Sequence, residues 1–458
     1  MTKKYHFWIT GCQMNYADAR QVSSRLEGLG YEATKTADEA DVIILQTCTV
    51  RQQAEDKAFG RLHSLRPLKE SRPEVTLAMM GCIVGVKGNE NLEKKFPFVD
   101  VWMPPASDGA PLIAHLLKGE DRIIDSAAMS ALHAVQNEEV ILPVAKKGRL
   151  VSAPVAVVYG CSHACTFCII PHRRGVESTR PVGAIVSEVR SLVDQGVKEV
   201  VLLGQIIDRY GKDISDGPDL ADLLEKVNQV PGLERVRFLT SHPNYMTERI
   251  LEAVAGLSKV MPQIEIPSQA GDDEILREMG RGYTASHYKE LVYKIREMVP
   301  GSAVHNDIIV GFPGETEEQF QRTYDLLVEL EHEKVHIARY SPRPGTVSAR
   351  RMIDDVPDAE KRRRLHAVEA LQEEISGRKT AVWLGKSVQV LVEGKSKGRW
   401  RGRTPQGKLV FFDDGRFLRG ELVEINITHT GPWSMSGEAA GSRQPLENRA
   451  EGLSLTVL

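Results

Sequence analysis

Three strand-like apolar runs near the start of the chain each end on a cysteine: residues 5–10 lead into Gly11-Cys12, 41–46 into Thr47-Cys48 and 75–80 into Gly81-Cys82. Helix-like stretches follow the first two runs, around 17–29 and 53–65. Strand and helix alternating through short connections argue for a parallel α/β sheet. Ligands of such sheets gather at the carboxyl ends of strands. All three cysteines fall there, so positions remote in sequence become neighbours in space.

The alternation resumes further on. Strand candidates at 155–159, 199–203, 235–240, 263–267, 308–311 and 334–340 are separated by helix-like segments at 184–195, 219–227, 247–257, 286–298 and 317–330. Six such units in a row predict an open, partial (βα)6 barrel. A charged helix over 358–378 leads to short β-rich runs at 387–393, 407–412 and 421–427, which predict a small β-barrel. The fold expected is therefore α/β with a C-terminal β module. Its boundaries are 1–125, a linker at 126–150, the barrel at 151–378, the β module at 379–440 and a polar tail at 441–458.

The chain has 458 residues, 41% hydrophobic and 26% charged, ordinary for a soluble protein with real cores. The N-terminus lacks the apolar core and cleavage site of a signal peptide. No apolar run approaches the roughly 18–20 residues that cross a bilayer. The cytoplasm is the expected location, and no membrane partner is expected. In that compartment clustered cysteines are more often metal ligands than disulfides. A net charge of −3 excludes a global basic field. Residues 379–440 nonetheless carry ten Lys/Arg against six Asp/Glu, a local basic footprint.

All six cysteines belong to two triads. The second is compact, Cys161-Ser162-His163-Ala164-Cys165-Thr166-Phe167-Cys168, at the end of the first barrel strand. A short loop of this kind wraps three corners of an iron–sulfur cubane, whose usual ligands are thiolates. The fourth iron is then left open to substrate or cofactor. A structural zinc site would want a fourth Cys or His, for which His163 and His172 are available. Three inert, buried thiols are the bland alternative. His63, His133 and His366 show no metal spacing.

Gly160-Cys161…Cys165-Thr166-Phe167-Cys168-Ile169-Ile170-Pro171 resembles the signature of radical S-adenosylmethionine (SAM) enzymes. The resemblance implies that the open iron chelates SAM and that an electron from the cluster frees a 5′-deoxyadenosyl radical. Later strand ends are then expected to hold the cofactor through Gly204, Gln205, Gln269, Asp307, Gly311 and Glu315.

Over nearly its whole length the chain is similar to the methylthiotransferases, which join a three-cysteine domain, a radical SAM barrel and a TRAM domain. Gly11-Cys12-Gln13-Met14-Asn15, Thr47-Cys48-Thr49-Val50-Arg51, Arg174-Gly175…Ser178-Thr179-Arg180-Pro181, Tyr340-Ser341-Pro342-Arg343-Pro344-Gly345-Thr346 and Trp433-Ser434-Met435-Ser436-Gly437-Glu438 look like the tRNA 2-methylthio-N6-dimethylallyladenosine synthases. That family replaces the C2 hydrogen of an isopentenylated adenine beside the tRNA anticodon with a methylthio group. The resemblance implies two 4Fe–4S clusters, on Cys12, Cys48 and Cys82 and on Cys161, Cys165 and Cys168. One SAM methylates a sulfur at the N-terminal cluster and a second supplies the radical. It also implies tRNA as partner, a reductase or flavodoxin-type electron donor, and a sulfur donor. Glu265, Ala270, Asn306, Gln46 and the run Ile206-Ile207-Asp208 depart from the family's usual residues. The same chemistry on threonylcarbamoyl-adenosine or on a ribosomal-protein aspartate, and a non-catalytic iron–sulfur RNA-binding protein, are the alternatives. Lys397, Arg399, Arg401 and Arg403, interleaved with Trp400, are expected to meet RNA phosphates and stack on a base.

Overall fold

Runs of residues apolar on both faces make the N-terminal sheet. In the computed structural model, which describes residues 2–50, 52–87, 90–118 and 140–440, the elements are β1 (Lys4–Ile9), α1 (Gln13–Gly28), β2 (Glu32–Ala33), β3 (Val42–Thr47), α2 (Gln52–Ser71), β4 (Thr76–Gly81), α3 (Glu90–Lys95), β5 (Val101–Met103) and α4 (Ala110–Leu117). Arg51, His133, the first part of the expected linker (126–139) and the tail at 441–458 lie outside the described residues. All pairings are parallel, in the order β2-β1-β3-β4-β5. Alternate residues face opposite ways. Ile43, Leu45, Leu77 and Met79 meet Ala58, Leu62 and Leu65 of α2, while Val42, Ile44, Ala78 and Met80 meet Val22 and Leu26 of α1. The short elements β2, β5, α3 and α4 did not figure in the sequence reading, because two to eight residues are too few to show a period.

The barrel follows: β6 (Ser152–Ala156), β7 (Val158–Tyr159), α5 (Ile170–Arg174), β8 (Ser178–Thr179), α6 (Val182–Asp194), β9 (Glu199–Leu203), α7 (Leu220–Asn228), β10 (Arg235–Leu239), α8 (Glu248–Gly256), β11 (Gln263–Glu265), α9 (Asp273–Glu278), α10 (Ala285–Met298), β12 (Ala303–Val310), α11 (Glu317–Leu330), β13 (Lys334–Arg339), α12 (Val347–Arg351) and α13 (Asp358–Ala381). Asp219, Thr247, Asp272, Thr284 and Thr316 start five of these helices by accepting from backbone N–H groups of the first turn. The expected first strand divides: β6 joins the sheet, and β7 pairs antiparallel with β8. Parallel sheets β10-β9-β6 and β11-β12-β13 are stitched by backbone bonds from Met261 to Val236 and from Ser241 to Glu265, 2.9 Å each. The result is an open arc of six parallel strands. Its outer face buries Val155, Val200, Leu202 and Phe238 under Ile185, Val189, Leu192 and Leu223 of the helices. Its inner face receives the N-terminal domain: Met14 and Ala17 of α1 pack on Ala156, Val201 and Leu203. Val368, Leu371 and Ile375, one stripe of α13, close over Ile308, Val310 and Val335.

The chain divides into two compact units, residues 1–376 and 377–458. The second is a closed barrel of β14 (Ser387–Ser396), β15 (Arg399–Arg403), β16 (Leu409–Asp413), β17 (Leu422–Thr430) and β18 (Met435–Ala439), in the order β14-β15-β16-β18-β17. Closure removes exposed sheet edges. Val390, Val392, Trp400, Val410, Phe412, Ile425 and Ile427 fill it. Lys397 and Gly398, at φ +50° and +85°, form the two-residue turn joining β14 to β15. Among the described residues no helix is long and apolar enough to cross a membrane.

Candidate functional site

The ends of three neighbouring strands bring Cys12, Cys48 and Cys82 together. The register sets Thr47 opposite Gly81 and Gln46 opposite Ile9, so all three thiols leave the same end of the sheet. Two fully buried side chains staple these ends. The Asn15 amide donates to the carbonyls of Thr10 (2.5 Å) and Thr47 (3.1 Å), and the Thr47 hydroxyl donates to the Met80 carbonyl at 2.6 Å. Gly11, at φ +114°, lies so close that a Cβ there would stand 2.6 Å from the Cys48 Cβ. Cys12 is the N-cap residue of α1, so the helix starts directly from the first thiol. Burial pushes the Cys82 thiol up to about 11, against the pull of the Arg174 charge.

That arginine belongs to the barrel. At the end of α5 it enters the N-terminal domain, where its Nη2 donates to Asn15 Oδ1 and Asp18 Oδ2, both at 2.9 Å. Arg20 of α1 meets Glu188 of α6, which also holds Arg180. Arg343 reaches Gln52 and Glu55 of α2. Val86 donates its N–H to the Arg173 carbonyl at 3.0 Å. The Arg173 and Arg174 links hold α5, which follows the second triad, against the N-terminal domain, and the others hold further barrel segments to it.

Cys161, Cys165 and Cys168 lie on the loop after β7. Gly160 opens it at φ +65°, where a Cβ would fall 2.0 Å from the Val176 carbonyl oxygen. Thr166 pins the loop to the end of α9 through its N–H to Met279 O (3.0 Å) and its hydroxyl to Glu278 O (2.8 Å). Cys165 receives Arg281 Nη1 at 3.3 Å and lies 3.4 Å from His163 Nδ1. The guanidinium is fixed by donation to Pro267 O and the Tyr283 hydroxyl, 2.9 Å each. Burial pushes the Cys168 thiol up to about 12 and raises Cys161 as well. Sequence reasoning missed Arg281, Arg174 and Asn15 as supports of the thiols, since none has a spacing that signals such a task.

Gly204 and Gln205 directly follow β9, Gln269 lies in the loop after β11, where it bridges to Ile308, and Asp307 sits within β12. A Cβ on Gly204 would stand 3.1 Å from Ile207 Cα. Thr240 and Gln269 adopt φ of +69° and +72°, local strain of the kind that gathers at functional sites. Ser268 and Asn306, both fully buried, exchange hydrogen bonds at 2.7 and 3.1 Å. Burial and the Asp307 charge raise Glu265 to about 7. Burial raises Asp208, which accepts from the His242 N–H at 2.9 Å, to about 8. Burial and nearby cations lower His242, whose ring centroid lies 4.4 Å from that of His163 at a tilt of 37°, to about 2. Glu315 points elsewhere: its carboxylate binds the Gly311 N–H (2.6 Å) and Arg364 (2.8 Å), bracing the loop.

In the second unit Arg399, Arg401 and Arg403 project from β15 with nearly half of each side chain exposed, paired with Asp413 and Glu393. Trp400 corrects the sequence reading. Strand alternation turns it inward, 3% exposed, so it fills the barrel and cannot stack on a base. Phe412 is likewise core, whereas Phe417 and Trp433 are the exposed aromatics, at 76% and 59%.

Comparison with known proteins matches residues 4–104 to the uncharacterized protein family UPF0004, 155–327 to the radical SAM superfamily and 382–440 to the TRAM domain. The chain is 43% identical to a tRNA-2-methylthio-N(6)-dimethylallyladenosine synthase of Roseiflexus sp., over 96% of this chain and 90% of the relative. It is 42% identical to the proteins of that description from Herpetosiphon aurantiacus, over 96% and 98% of the two chains, and Chloroflexus aurantiacus, over 95% and 91%. Among solved structures, the radical SAM methyltransferase TsrM from Kitasatospora setae shares the fold, with a TM-score of 0.53 at 14% identity over 76% of this chain and 77% of that one.

Proposed function

The chain belongs to the family of tRNA-2-methylthio-N(6)-dimethylallyladenosine synthases, and from there we propose that it carries two 4Fe–4S clusters, one on Cys12, Cys48 and Cys82 and one on Cys161, Cys165 and Cys168. It is a radical SAM transferase whose product is a methylthio group at C2 of N6-isopentenyladenosine beside the anticodon of tRNA. The observation that carries the two-cluster reading is the delivery of three remote thiols to one end of three adjacent strands, on a domain whose α1 packs on the barrel's inner face.

The donor sets fit the groups. The thiols of each triad act on one another's charge, so each triad is gathered at one place. Thiolates are the usual ligands of a four-iron cubane. When bound, SAM and the clusters supply the radical chemistry and the sulfur that no side chain provides.

The chain's own residues position and insulate. Arg281 and His163 hold Cys165 by hydrogen bonding, and Arg174 and Asn15 hold the N-terminal triad. Gly204 lets the chain after β9 fold closely onto Ile207, Gln205, Gln269 and Asp307 offer polar groups to the cofactor, and Gly311 with Glu315 shapes the loop behind. The apolar packing of α1 on the barrel's inner face holds the domain that carries the first triad on the barrel. Lys397, Arg399, Arg401 and Arg403 contact tRNA phosphates, while Phe417 and Trp433 supply the stacking that Trp400 cannot. A flavodoxin-type reductase and a sulfur donor act from outside the chain.

Anaerobic reconstitution, followed by iron and sulfide analysis, tests the cofactor reading: about eight irons per chain are expected from two cubanes, and about four would refute it. Incubation with SAM, dithionite and isopentenylated tRNA, then nuclease digestion and mass spectrometry, tests the reaction. An unchanged isopentenyladenosine in fully loaded protein would reject it.

A further inference from the structure

Arg174 is a barrel residue placed inside the N-terminal domain. Its side chain is 2% exposed, and Asp18, its ion-pair partner, is 1% exposed. Only Nη2 is spent on oxygen, on Asn15 and Asp18; Nη1 and Nε are buried and donate to no oxygen or nitrogen. A guanidinium has five N–H donors, and leaving buried ones idle is costly. Asn15 Oδ1 takes both Arg174 Nη2 at 2.9 Å and the Cys12 thiol at 3.9 Å, so the guanidinium lies beside the thiols, and its charge acts on both Cys82 and Cys12. Asp18 carries a second oddity: Oδ2 takes Arg174 and the Gln46 amide, while Oδ1 is buried without a partner. One cation therefore lies beside a buried carboxylate and near two of the three thiols.

Resting on the two-cluster reading, we propose that Arg174 is a positioning residue for the N-terminal cluster: it is that cluster's hydrogen-bond donor and counter-charge, delivered from the barrel, and with Asp18 it sets the cluster's reduction potential. A cubane in its oxidised 2+ core state bound by three thiolates has a net charge of about −1, and one more electron deepens it. A buried cation nearby stabilises the reduced form, and a buried anion opposes it. Arg174 ends the short helix α5, which begins two residues after Cys168, so one short segment carries both a barrel thiol and the arginine of the other triad.

The test isolates the N-terminal cluster in the full-length chain by changing Cys161, Cys165 and Cys168 to Ala. Iron and sulfide are measured after anaerobic reconstitution, and an EPR-monitored redox titration follows. In that background Arg174→Gln is expected to move the midpoint to more negative potential, Asp18→Asn to more positive potential, and Arg174→Lys less than Arg174→Gln. A merely structural role does not produce shifts of opposite sign from adjacent sites. Should Arg174→Gln not fold, Asp18→Asn carries the test: a positive shift supports the proposal and an unchanged midpoint overturns it. Filled clusters with one midpoint in all variants overturn it too. A background protein that takes up no iron fails the two-cluster reading itself, and does so before any potential is measured.

Discussion

Cys161, Cys165 and Cys168 share one loop, whereas Cys12, Cys48 and Cys82 are drawn from the ends of three strands. The loop triad holds its spacing through local turns, a glycine at φ +65° and a pin onto α9. The strand triad depends on sheet register, where a slip of one residue turns a side chain to the other face. It also depends on Asn15 and Thr47 as staples, and on an arginine from another domain. A locally encoded ligand set tolerates change elsewhere; an assembled one inherits every weakness of the fold that assembles it.

The largest effects separate the triads by task. Cys165→Ala is expected to abolish SAM cleavage, read as 5′-deoxyadenosine after anaerobic incubation with dithionite. Cys48→Ala should spare much of that cleavage while stopping methylthio insertion into tRNA. Methylthio product from Cys48→Ala would remove the second cluster from the account.

Two glycines sharpen the contrast. Gly11→Ala would set a Cβ 2.6 Å from the Cys48 Cβ, and Gly160→Ala one 2.0 Å from the Val176 carbonyl oxygen. Each is expected to cost about 2–4 kcal/mol in thermal or urea unfolding. Gly11→Ala should lose the iron of the strand triad and keep SAM cleavage; Gly160→Ala should lose the cleavage. Equal iron loss from both variants would mean that the two sites do not form independently.

One pH effect belongs to the barrel side. Burial and the Asp307 charge lift Glu265 from 4.5 to about 7, so the folded chain holds this proton more tightly than the unfolded chain. The stabilisation is complete below about pH 4.5 and fades as pH rises through 7. Glu265→Gln should shrink the loss of stability between pH 5 and 8 by on the order of 2 kcal/mol. An identical loss in both proteins would assign the pH dependence to other groups, such as Asp208.

The smallest effect lies away from both triads. Replacing Arg399, Arg401 and Arg403 together with Ala should weaken tRNA binding and lower its salt slope by about 0.7–0.9 for each phosphate contact removed. Their pairing with Glu393 and Asp413 keeps the change modest. Iron content should stay as in the parent, and an unaltered salt slope would take RNA away from this face.

Much of this was legible beforehand. The expected runs at 199–203 and 317–330 coincide with β9 and α11, because long or fully apolar elements display their period. Strand β18 escaped notice: it is small and polar, and owes its strand conformation to barrel closure. Trp400 was misjudged because a string of cations masks alternation, and only the register shows which neighbours turn inward.

Residue order alone determined the six thiols, the strand ends that carry them and the loop that gathers the second triad, since these follow from spacing and short-range periodicity. Tertiary structure decided which groups surround the sulfur. Arg174 with Asn15 and Asp18, Arg281 with Cys165, and α1 on the inner face of the barrel are contacts between segments far apart in the chain. Such contacts arise from the packing of whole elements, and no local pattern of residues encodes them.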